Sequence, residues 1–173
     1  MSIIDGKELS SIREKHKDEK IVFCSGSFDL THAGHVLFFE DCKKYGDILV
    51  VMVGNDSILR IYKGAERPVL NQHIRLKMVS SIKSVTYALL DQNLLSTDLL
   101  SGLNSVFSTL KPDYYVITTD AFDIPKRREL LKSSPTKLVI LERACPPEFE
   151  AISTTKIIEK IKSIKPQGGV LDP

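Results

Sequence analysis

The sequence has few cysteines and almost no net charge, and both absences exclude classes of protein. Its three cysteines, Cys24, Cys42 and Cys145, provide no disulfide framework, which is typical of a reducing compartment, so we expect a cytoplasmic protein. The net charge is only +2 over 173 residues, and this predicts no broad basic surface for nucleic acid. The basic cluster Lys126-Arg127-Arg128 is accordingly interpreted as a solvated face.

A long apolar run is also missing. Residues 1–10 include Asp5, Lys7 and Glu8, so we expect neither a signal peptide nor a membrane span. The hydrophobic content of 42% and the charged content of 27% are ordinary for a globular protein. We expect one domain over residues 1–164, with an N-terminal helix at about 7–17, a core at about 20–164 and a flexible tail at 165–173.

Short apolar runs alternate with helical patterns along the chain. The runs predict five strands, at about 21–25, 48–53, 85–90, 114–117 and 138–141. Helical patterns follow the two histidines His32 and His35 and recur near 71–82, 98–110, 125–132 and from Ser153 onward. This alternation predicts an α/β fold, a Rossmann-like open parallel sheet of about five strands with helices on both faces. Ligands of such sheets bind beyond the carboxyl ends of the strands.

The most informative stretch runs from Cys24 to His35, between the first strand and the first core helix. A helix start after a strand offers free backbone N–H groups and a positive dipole end, and phosphate binds there readily. Gly26 allows close approach of a phosphate, and Gly34 allows a tight turn between His32 and His35. Taken alone, the two histidines fit a structural pair, two metal ligands or a phosphate site. The glycines and the helix start favour phosphate, and no further ligands stand at metal spacing.

The segment Gly26-Ser27-Phe28-Asp29, followed by His32-Ala33-Gly34-His35, resembles the signature of nucleotidyltransferases with an H-x-G-H motif, the cytidylyltransferase-like family. The resemblance spans roughly residues 20–164. It implies in-line attack by a phosphate oxygen of an acceptor on the α-phosphorus of a nucleoside triphosphate, with release of pyrophosphate. His32 and His35 are then expected to donate hydrogen bonds to phosphate oxygens, with nucleotide contacts also from Gly26, Ser27, Phe28, Thr31 and Gly34.

A second helix start stands at Ile152-Ser153-Thr154-Thr155. Hydroxyl residues before an apolar helix are often only an N-cap. In the family that the chain resembles, such a segment contacts the triphosphate. The two helix starts, far apart in the sequence, are therefore predicted to close over one nucleotide.

Cations provide the third part of the predicted site. Individually, Lys63, Arg67, Arg75 and Arg143 also fit ordinary surface charge. The pattern Lys63-Gly64, Arg67-Pro68-Val69 and Arg75 is similar to sugar-phosphate adenylyltransferases of the ADP-heptose synthase type, which implies that Lys63 and Arg75 are catalytic phosphate contacts. Arg143 lies where glycerol-3-phosphate cytidylyltransferases have an arginine, so it is expected to bind nucleotide.

Asp120 follows the fourth strand, where relatives have a Gly-x-Asp loop beside the nucleotide. Here the loop reads Thr118-Thr119-Asp120, so Asp120 is either a nucleotide contact or a turn residue. Acceptor contacts are assigned to the remaining polar side chains of the strand-end loops: Asp29, Asn55, Asp56 and Arg67.

The resemblance favours adenylyl transfer to a sugar phosphate. Cytidylyl transfer to glycerol 3-phosphate or a similar alcohol, adenylyl transfer to FMN and a catalytically silent nucleotide-binding module are the alternatives. Mg²⁺ is expected to bridge the phosphates without a dedicated protein site. A homodimer is possible on the precedent of relatives.

Overall fold

One parallel sheet forms the centre of the chain in a computed structural model, which describes residues 2–93, 98, 100–143, 145–149 and 152–164. Its strands are β1 (Ser2–Ile3), β2 (Ile21–Gly26), β3 (Ile48–Val53), β4 (Tyr87–Leu90), β5 (Tyr114–Thr118) and β6 (Lys137–Leu141). They lie in the order β1-β4-β3-β2-β5-β6, and every neighbouring pair is parallel. The predicted open parallel sheet is confirmed, with six strands rather than about five.

The additional strand is β1, which pairs with the start of β4 through Ser2 opposite Tyr87 and Ile3 opposite Ala88. Two residues are too few for a period-two pattern to be recognised in a sequence. The five strands that the apolar runs predict are all present. The fully buried residues Ile48–Val53 illustrate why the prediction succeeds, because central parallel strands are covered on both faces.

Helices cover both faces of the sheet, as predicted. They are α1 (Leu9–Lys15), α2 (Ala33–Lys43), α3 (Asp56–Lys63), α4 (Gln72–Ser80), α5 (Gly102–Ser105), α6 (Ile124–Leu130) and α7 (Thr154–Ser163). Alternate residues of β2 enter opposite cores: Phe23 packs with α1 and α5, whereas Cys24 packs with α2 and α4. None of the helices in these described ranges is long and apolar enough to cross a membrane.

The predicted helix at 98–110 is shorter and less regular in the structure. It consists of α5 followed by a π-helical turn over Val106–Leu110, and Lys111 ends it in a left-handed conformation with φ of 48°. Gly102 at its start lies against Asp91, since a Cβ there would stand 2.2 Å from Asp91 Oδ1. Leu99 and the predicted tail at 165–173 lie outside the described residues.

The connection from β4 to β5 creates the switch point of the sheet. The chain moves outward from β2 through β3 to β4, and then returns to place β5 on the other side of β2. The loops after β2 and β5 therefore diverge, and a crevice opens between them at the carboxyl edge. The predicted phosphate-binding turn follows β2 at this crevice.

Candidate active site

The two histidines of the turn after β2 are held in one orientation by backbone N–H groups. His32 is the N-cap of α2, and its Nδ1 accepts a hydrogen bond from the Gly34 amide at 3.1 Å. The His32 amide in turn donates to His35 Nδ1 at 3.3 Å. Each Nδ1 is therefore an acceptor, so the neutral rings carry their protons on Nε2. Both side chains are thereby set up as single N–H donors.

Their environment keeps these rings uncharged at neutral pH. Burial, with the neighbouring His32, Arg143 and Lys63, lowers the pKa of His35 from 6.5 to about 3. Burial and Arg143 also lower the pKa of His32. The rings are 4.0 Å apart between centroids, which disfavours a second charge beside the first. Two neutral donors next to each other suit a ligand that is already rich in negative charge.

The second helix start lies beside the first. Thr154, at the beginning of α7, donates through Oγ1 to the Asp29 carbonyl at 2.8 Å. A Cβ on Gly34 would stand 3.6 Å from the Ile152 carbonyl oxygen, so the α2 start and the segment before α7 are in contact range. Ser153 caps α7 by accepting from the Lys156 amide, and Thr155 is exposed. The predicted meeting of two helix N-termini is present.

Two cations, Lys63 and Arg143, lie near His35. Lys63 ends α3 and donates to Ser27 Oγ at 2.8 Å. Burial, together with Arg67 and other neighbouring arginines, lowers the pKa of Lys63. Arg143 follows β6 and is half-exposed. Both side chains line the same crevice as His35.

Asp120 pairs with Arg143 through two contacts, Nε to Oδ1 at 3.1 Å and Nη2 to Oδ2 at 2.8 Å. Burial alone would raise the pKa of Asp120, but the hydrogen bond from Thr118 and the charge of Arg143 outweigh it and lower that pKa. Asp120 thus lines the anion-binding crevice and orients Arg143, and its contact with a nucleotide stays a prediction.

The crevice has three connected parts. The anion cleft in the middle is lined by Ser27, His35, Lys63, Asp120 and Arg143 among others. An outer pocket adjoins it through Gly34, Phe38, Thr118 and Arg143, and its further walls include Leu37, Leu141, Phe149 and Ile152. An inner pocket adjoins it on the other side through Ser25, Tyr62, Phe122 and Arg127, with Met52, Ile58, Leu59 and Leu103 as apolar walls. A charged centre between two largely apolar pockets suits a reaction between two ligands.

Arg75 does not lie in the cleft as predicted. Its side chain is fully buried, and its donors contact Leu70 O at 2.9 Å, Ser27 O at 2.5 Å, Gly54 O at 2.7 Å and Asp56 Oδ1 at 2.8 Å. The predicted direct phosphate contact is therefore contradicted by its position. Arg75 instead joins the loops after β2 and β3.

Asp29 also differs from its predicted acceptor contact. The buried Asp29 carboxylate accepts from the amides of Leu30, Val69 and Leu70, and it pairs with Arg67 Nε at 3.3 Å. These bonds hold the turn in which Phe28 and Leu30 have positive φ values of 48° and 46°. The Asp29 carboxylate therefore supports the turn and is not available to an acceptor, whereas the acceptor contact of Arg67 stays a prediction.

The remaining two acceptor predictions have structural partners as well. Asn55 is buried, caps α3 through the Ile58 amide and donates to the carbonyls of Asp91 and Asn93. Asp56 pairs with Arg75. The acceptor assignment of both side chains is wrong for the same reason: their polar atoms are used inside the fold.

The turn after β2 uses its other residues partly for packing. A Cβ on Gly26 would stand 2.8 Å from the Phe28 ring, so glycine makes room for that ring. Phe28 packs edge-to-face on His35, with centroids 5.5 Å apart. Thr31 Oγ1 donates to the Phe28 carbonyl at 3.1 Å. Phe28 lines the anion cleft, whereas the Thr31 hydroxyl is bonded within the turn.

Sequence reasoning missed two polar residues of the crevice, Ser25 and Arg127. The prediction of a solvated face at 126–128 is wrong for Arg127, which is buried while Arg128 is exposed. The signal was helical spacing, because Arg127 stands three residues after Ile124 and four before Leu131, and both pack on the core. Charge alone does not show this difference between Arg127 and Arg128.

The chain is similar to a known protein family and to curated relatives. Residues 23–160 match the family described as cytidylyltransferase-like. The chain is 34% identical over 162 residues to the bifunctional protein HldE of Campylobacter jejuni subsp. doylei and 32% identical over 155 residues to HldE of Helicobacter pylori. These alignments cover 94% and 89% of this chain but only 32% and 30% of the relatives. The chain thus spans about a third of the length of the curated relatives it matches.

Solved structures of other proteins share this fold. A lipopolysaccharide core biosynthesis protein from Thermoplasma volcanium superposes with a TM-score of 0.60 at 26% identity, covering 73% of this chain and 99% of that one. A pantoate-beta-alanine ligase from Francisella tularensis, at 19% identity, shares the fold with a TM-score of 0.62 and covers 100% of this chain and 82% of that one. By the match over residues 23–160, which carries the two histidines and the second helix start, this chain belongs to the cytidylyltransferase-like family.

Proposed function

We propose that the chain transfers the nucleoside monophosphate unit of a nucleoside triphosphate to a small phosphorylated acceptor and releases pyrophosphate. The meeting of the α2 and α7 N-termini, joined by Thr154 Oγ1 and the Asp29 carbonyl, is the observation that carries the proposal. Gly34 at the α2 start lines the anion cleft with the cations Lys63 and Arg143, and Ile152 before α7 lines the adjoining outer pocket. Two positive dipole ends and two cations in this arrangement suit a triphosphate.

A phosphate oxygen of the acceptor attacks the α-phosphorus, and the bond from that phosphorus to the bridging oxygen of the β-phosphate breaks. The acceptor is already an anion, so the step needs no strong base. Catalysis then consists of positioning and of stabilising the charge of the transition state. The neutral Nε2–H groups of His32 and His35 are suited to donate to phosphate oxygens without first losing a proton.

The arrangement of the pockets suggests where the two ligands bind. We assign the nucleoside to the outer pocket, which includes the residue before the second helix start, Ile152. The acceptor then enters from the inner pocket, and the triphosphate occupies the anion cleft between Lys63 and Arg143. This order brings the acceptor phosphate to the α-phosphorus, which it then attacks from the side opposite the bridging oxygen of the leaving pyrophosphate.

We propose ATP as donor and a sugar phosphate as acceptor, because the Lys63-Gly64, Arg67-Pro68-Val69 pattern resembles that of sugar-phosphate adenylyltransferases of the ADP-heptose synthase type. The similarity to HldE and to a lipopolysaccharide core biosynthesis protein supports a carbohydrate acceptor. A cytoplasmic location and a homodimer are further parts of the proposal, and sedimentation of the purified chain tests the second.

Mg²⁺ is proposed as the companion of the triphosphate. Asp120 is the one carboxylate among the described residues lining the anion cleft, and it is already paired with Arg143. The described residues contain no group of three or more metal-binding side chains. Such a donor set fits an ion that would be held mainly by phosphate oxygens and would neutralise part of their charge.

Pyrophosphate release tests the proposal directly. The purified chain is mixed with each of the four common nucleoside triphosphates and with heptose 1-phosphate, glucose 1-phosphate, glycerol 3-phosphate or FMN. We expect acceptor-dependent release that is fastest with ATP and a sugar phosphate. Nucleotide binding without release for every acceptor would instead identify a silent binding module.

A further inference from the structure

Arg127 is a buried cation at the boundary between the anion cleft and the inner pocket. Its residue exposure is 8%, and it lines both spaces. Nε donates to the Phe122 carbonyl at 2.7 Å, and Nη1 donates to the Tyr115 hydroxyl and, at 3.4 Å, to Ser25 Oγ. Nη2 has no hydrogen-bond partner among the described residues, and no carboxylate there forms an ion pair with Arg127.

The contrast with Arg75 is informative. Arg75 is buried too, but its Nε, Nη1 and Nη2 all donate to protein oxygens, one of which belongs to the Asp56 carboxylate. A buried cation without a carboxylate is costly unless another anion completes its surroundings. Arg127 therefore lacks a partner that a bound anion would supply.

Ser25 is oriented by the same contacts. Tyr115 is fully buried and accepts from Arg127, so we assign its own proton to the contact with Ser25 Oγ, at 3.0 Å. Burial raises the pKa of the Tyr115 phenol, which retains that proton. Because Ser25 Oγ accepts from Tyr115, its own proton is free to be donated into the crevice that it lines.

We propose that Arg127 Nη2 and the Ser25 hydroxyl bind the phosphate of the acceptor, where the inner pocket meets the anion cleft. Both groups are donors, which suits an anionic oxygen, and an arginine fork suits phosphate. The Asp91 carboxylate also lines the inner pocket and accepts from the Asn93 amide. The apolar walls of the inner pocket, with the Tyr62 and Phe122 rings 4.5 Å apart between centroids, then contact the body of the acceptor. This inference rests on the proposed function and identifies which side of the crevice recognises the phosphate monoester.

The test measures binding and turnover separately on the full chain. Calorimetric titrations with heptose 1-phosphate, glucose 1-phosphate and glycerol 3-phosphate, in the presence of a non-hydrolysable ATP analogue and Mg²⁺, give the acceptor Kd. We expect Arg127→Met to weaken binding of the preferred sugar phosphate roughly 10- to 100-fold, as loss of a charged hydrogen bond predicts. Ser25→Ala should weaken it roughly 3- to 10-fold. The Kd of the ATP analogue should stay unchanged in both variants.

Two further variants serve as controls for misfolding and for the loss of charge on the same helix. Arg127→Lys keeps the charge and the apolar stem, so it should fold even if Arg127→Met does not, and it should show an intermediate acceptor Kd. Arg128→Met, on the exposed side of the same helix, is the matched control and should bind like the wild type.

The outcomes separate this inference from the proposed function. Pyrophosphate release with an unchanged acceptor KM in the Arg127 and Ser25 variants would overturn the subsite and leave the transferase intact. Sugar-phosphate binding that depends on Arg127 without pyrophosphate release would leave the subsite and overturn the transferase. Equal weakening of the ATP analogue, or a wild type that binds none of the three phosphate esters, would overturn the subsite.

Discussion

Two groups of charged residues surround the turn after β2, and they differ in how completely the fold uses their polar atoms. The inner frame, formed by Asp29, Asp56, Arg67 and Arg75, is largely buried and bonded to backbone or to itself. The cleft cations Lys63 and Arg143 line the crevice, and Arg143 is half-exposed. The difference teaches that a charge pattern alone does not separate residues that bind a ligand from residues that build the site.

The largest effect is expected from replacing Arg75, which tests whether the inner frame is structural. Arg75→Met would leave the buried carbonyls of Ser27, Leu70 and Gly54 without their donor and Asp56 without its partner. We expect a loss of about 3–5 kcal/mol in the free energy of unfolding, which is the usual cost of breaking a buried charge pair. Urea unfolding followed by circular dichroism measures it. A variant that keeps wild-type stability but loses nucleotide affinity would show that Arg75 binds the nucleotide and does not build the site.

His35 tests the group of residues that bind the ligand, because it lines the anion cleft and is not part of the inner frame. We expect His35→Ala to slow pyrophosphate release roughly 100- to 1000-fold, as the loss of one well-placed donor does. Its unfolding midpoint should stay close to that of the wild type. His73→Ala, an exposed histidine on α4, is the control and should be fully active. Near-normal turnover of the His35 variant would remove the histidines from the mechanism.

Arg143 should show a smaller effect confined to ligand binding. Its ion pair with Asp120 is half-exposed, and such pairs contribute at most about 1 kcal/mol to stability. Arg143→Met should therefore raise the Kd for ATP roughly tenfold with little change in the unfolding free energy. Asp120→Asn is its companion, since it releases the arginine without removing it and should weaken ATP less. If Arg143→Met destabilises the fold as much as Arg75→Met, the two groups are not distinct.

The smallest effect is a pH signature of the cleft. The pKa of His35 is lowered from 6.5 to about 3, so its ring should show no titration between pH 5 and 8 in nuclear magnetic resonance spectra of the free protein. The unfolded chain binds that proton near pH 6.5 while the folded chain does not, so stability should fall as the pH drops below 6.5. His35→Gln should reduce this loss. A His35 titration near pH 6.5 in the folded protein would show that the ring is not buried as described.

Much of this arrangement follows from local sequence. The run Ile48–Val53 predicts β3 because six consecutive apolar residues fit a strand buried on both sides. The turn from Gly26 to His35 identifies the α2 start because glycines and histidines follow a strand and precede an amphipathic helix. The second helix start is found in the same way, from Ser153 and the isoleucines that follow it.

What local sequence does not determine is the tertiary partner of a charge. Asp29 meets the amides of Val69 and Leu70, and Arg75 meets Gly54 and Ser27, only because separate loops pack together at the sheet edge. The same holds for Arg127 on α6, whose neighbours Tyr115 and Ser25 come from the strands β5 and β2. The strand β1 is not predicted for a different reason, since its two residues are too few to show the period-two pattern of a strand.

The central claim is that the N-termini of α2 and α7 bind the same triphosphate. Amide chemical shifts of the ¹⁵N-labelled chain, followed while a non-hydrolysable ATP analogue and Mg²⁺ are added, test it most directly. The account predicts that Ala33 to His35 and Ser153 to Thr155 shift together, with one shared Kd. Shifts at only one of these helix starts, or two different dissociation constants, would contradict it.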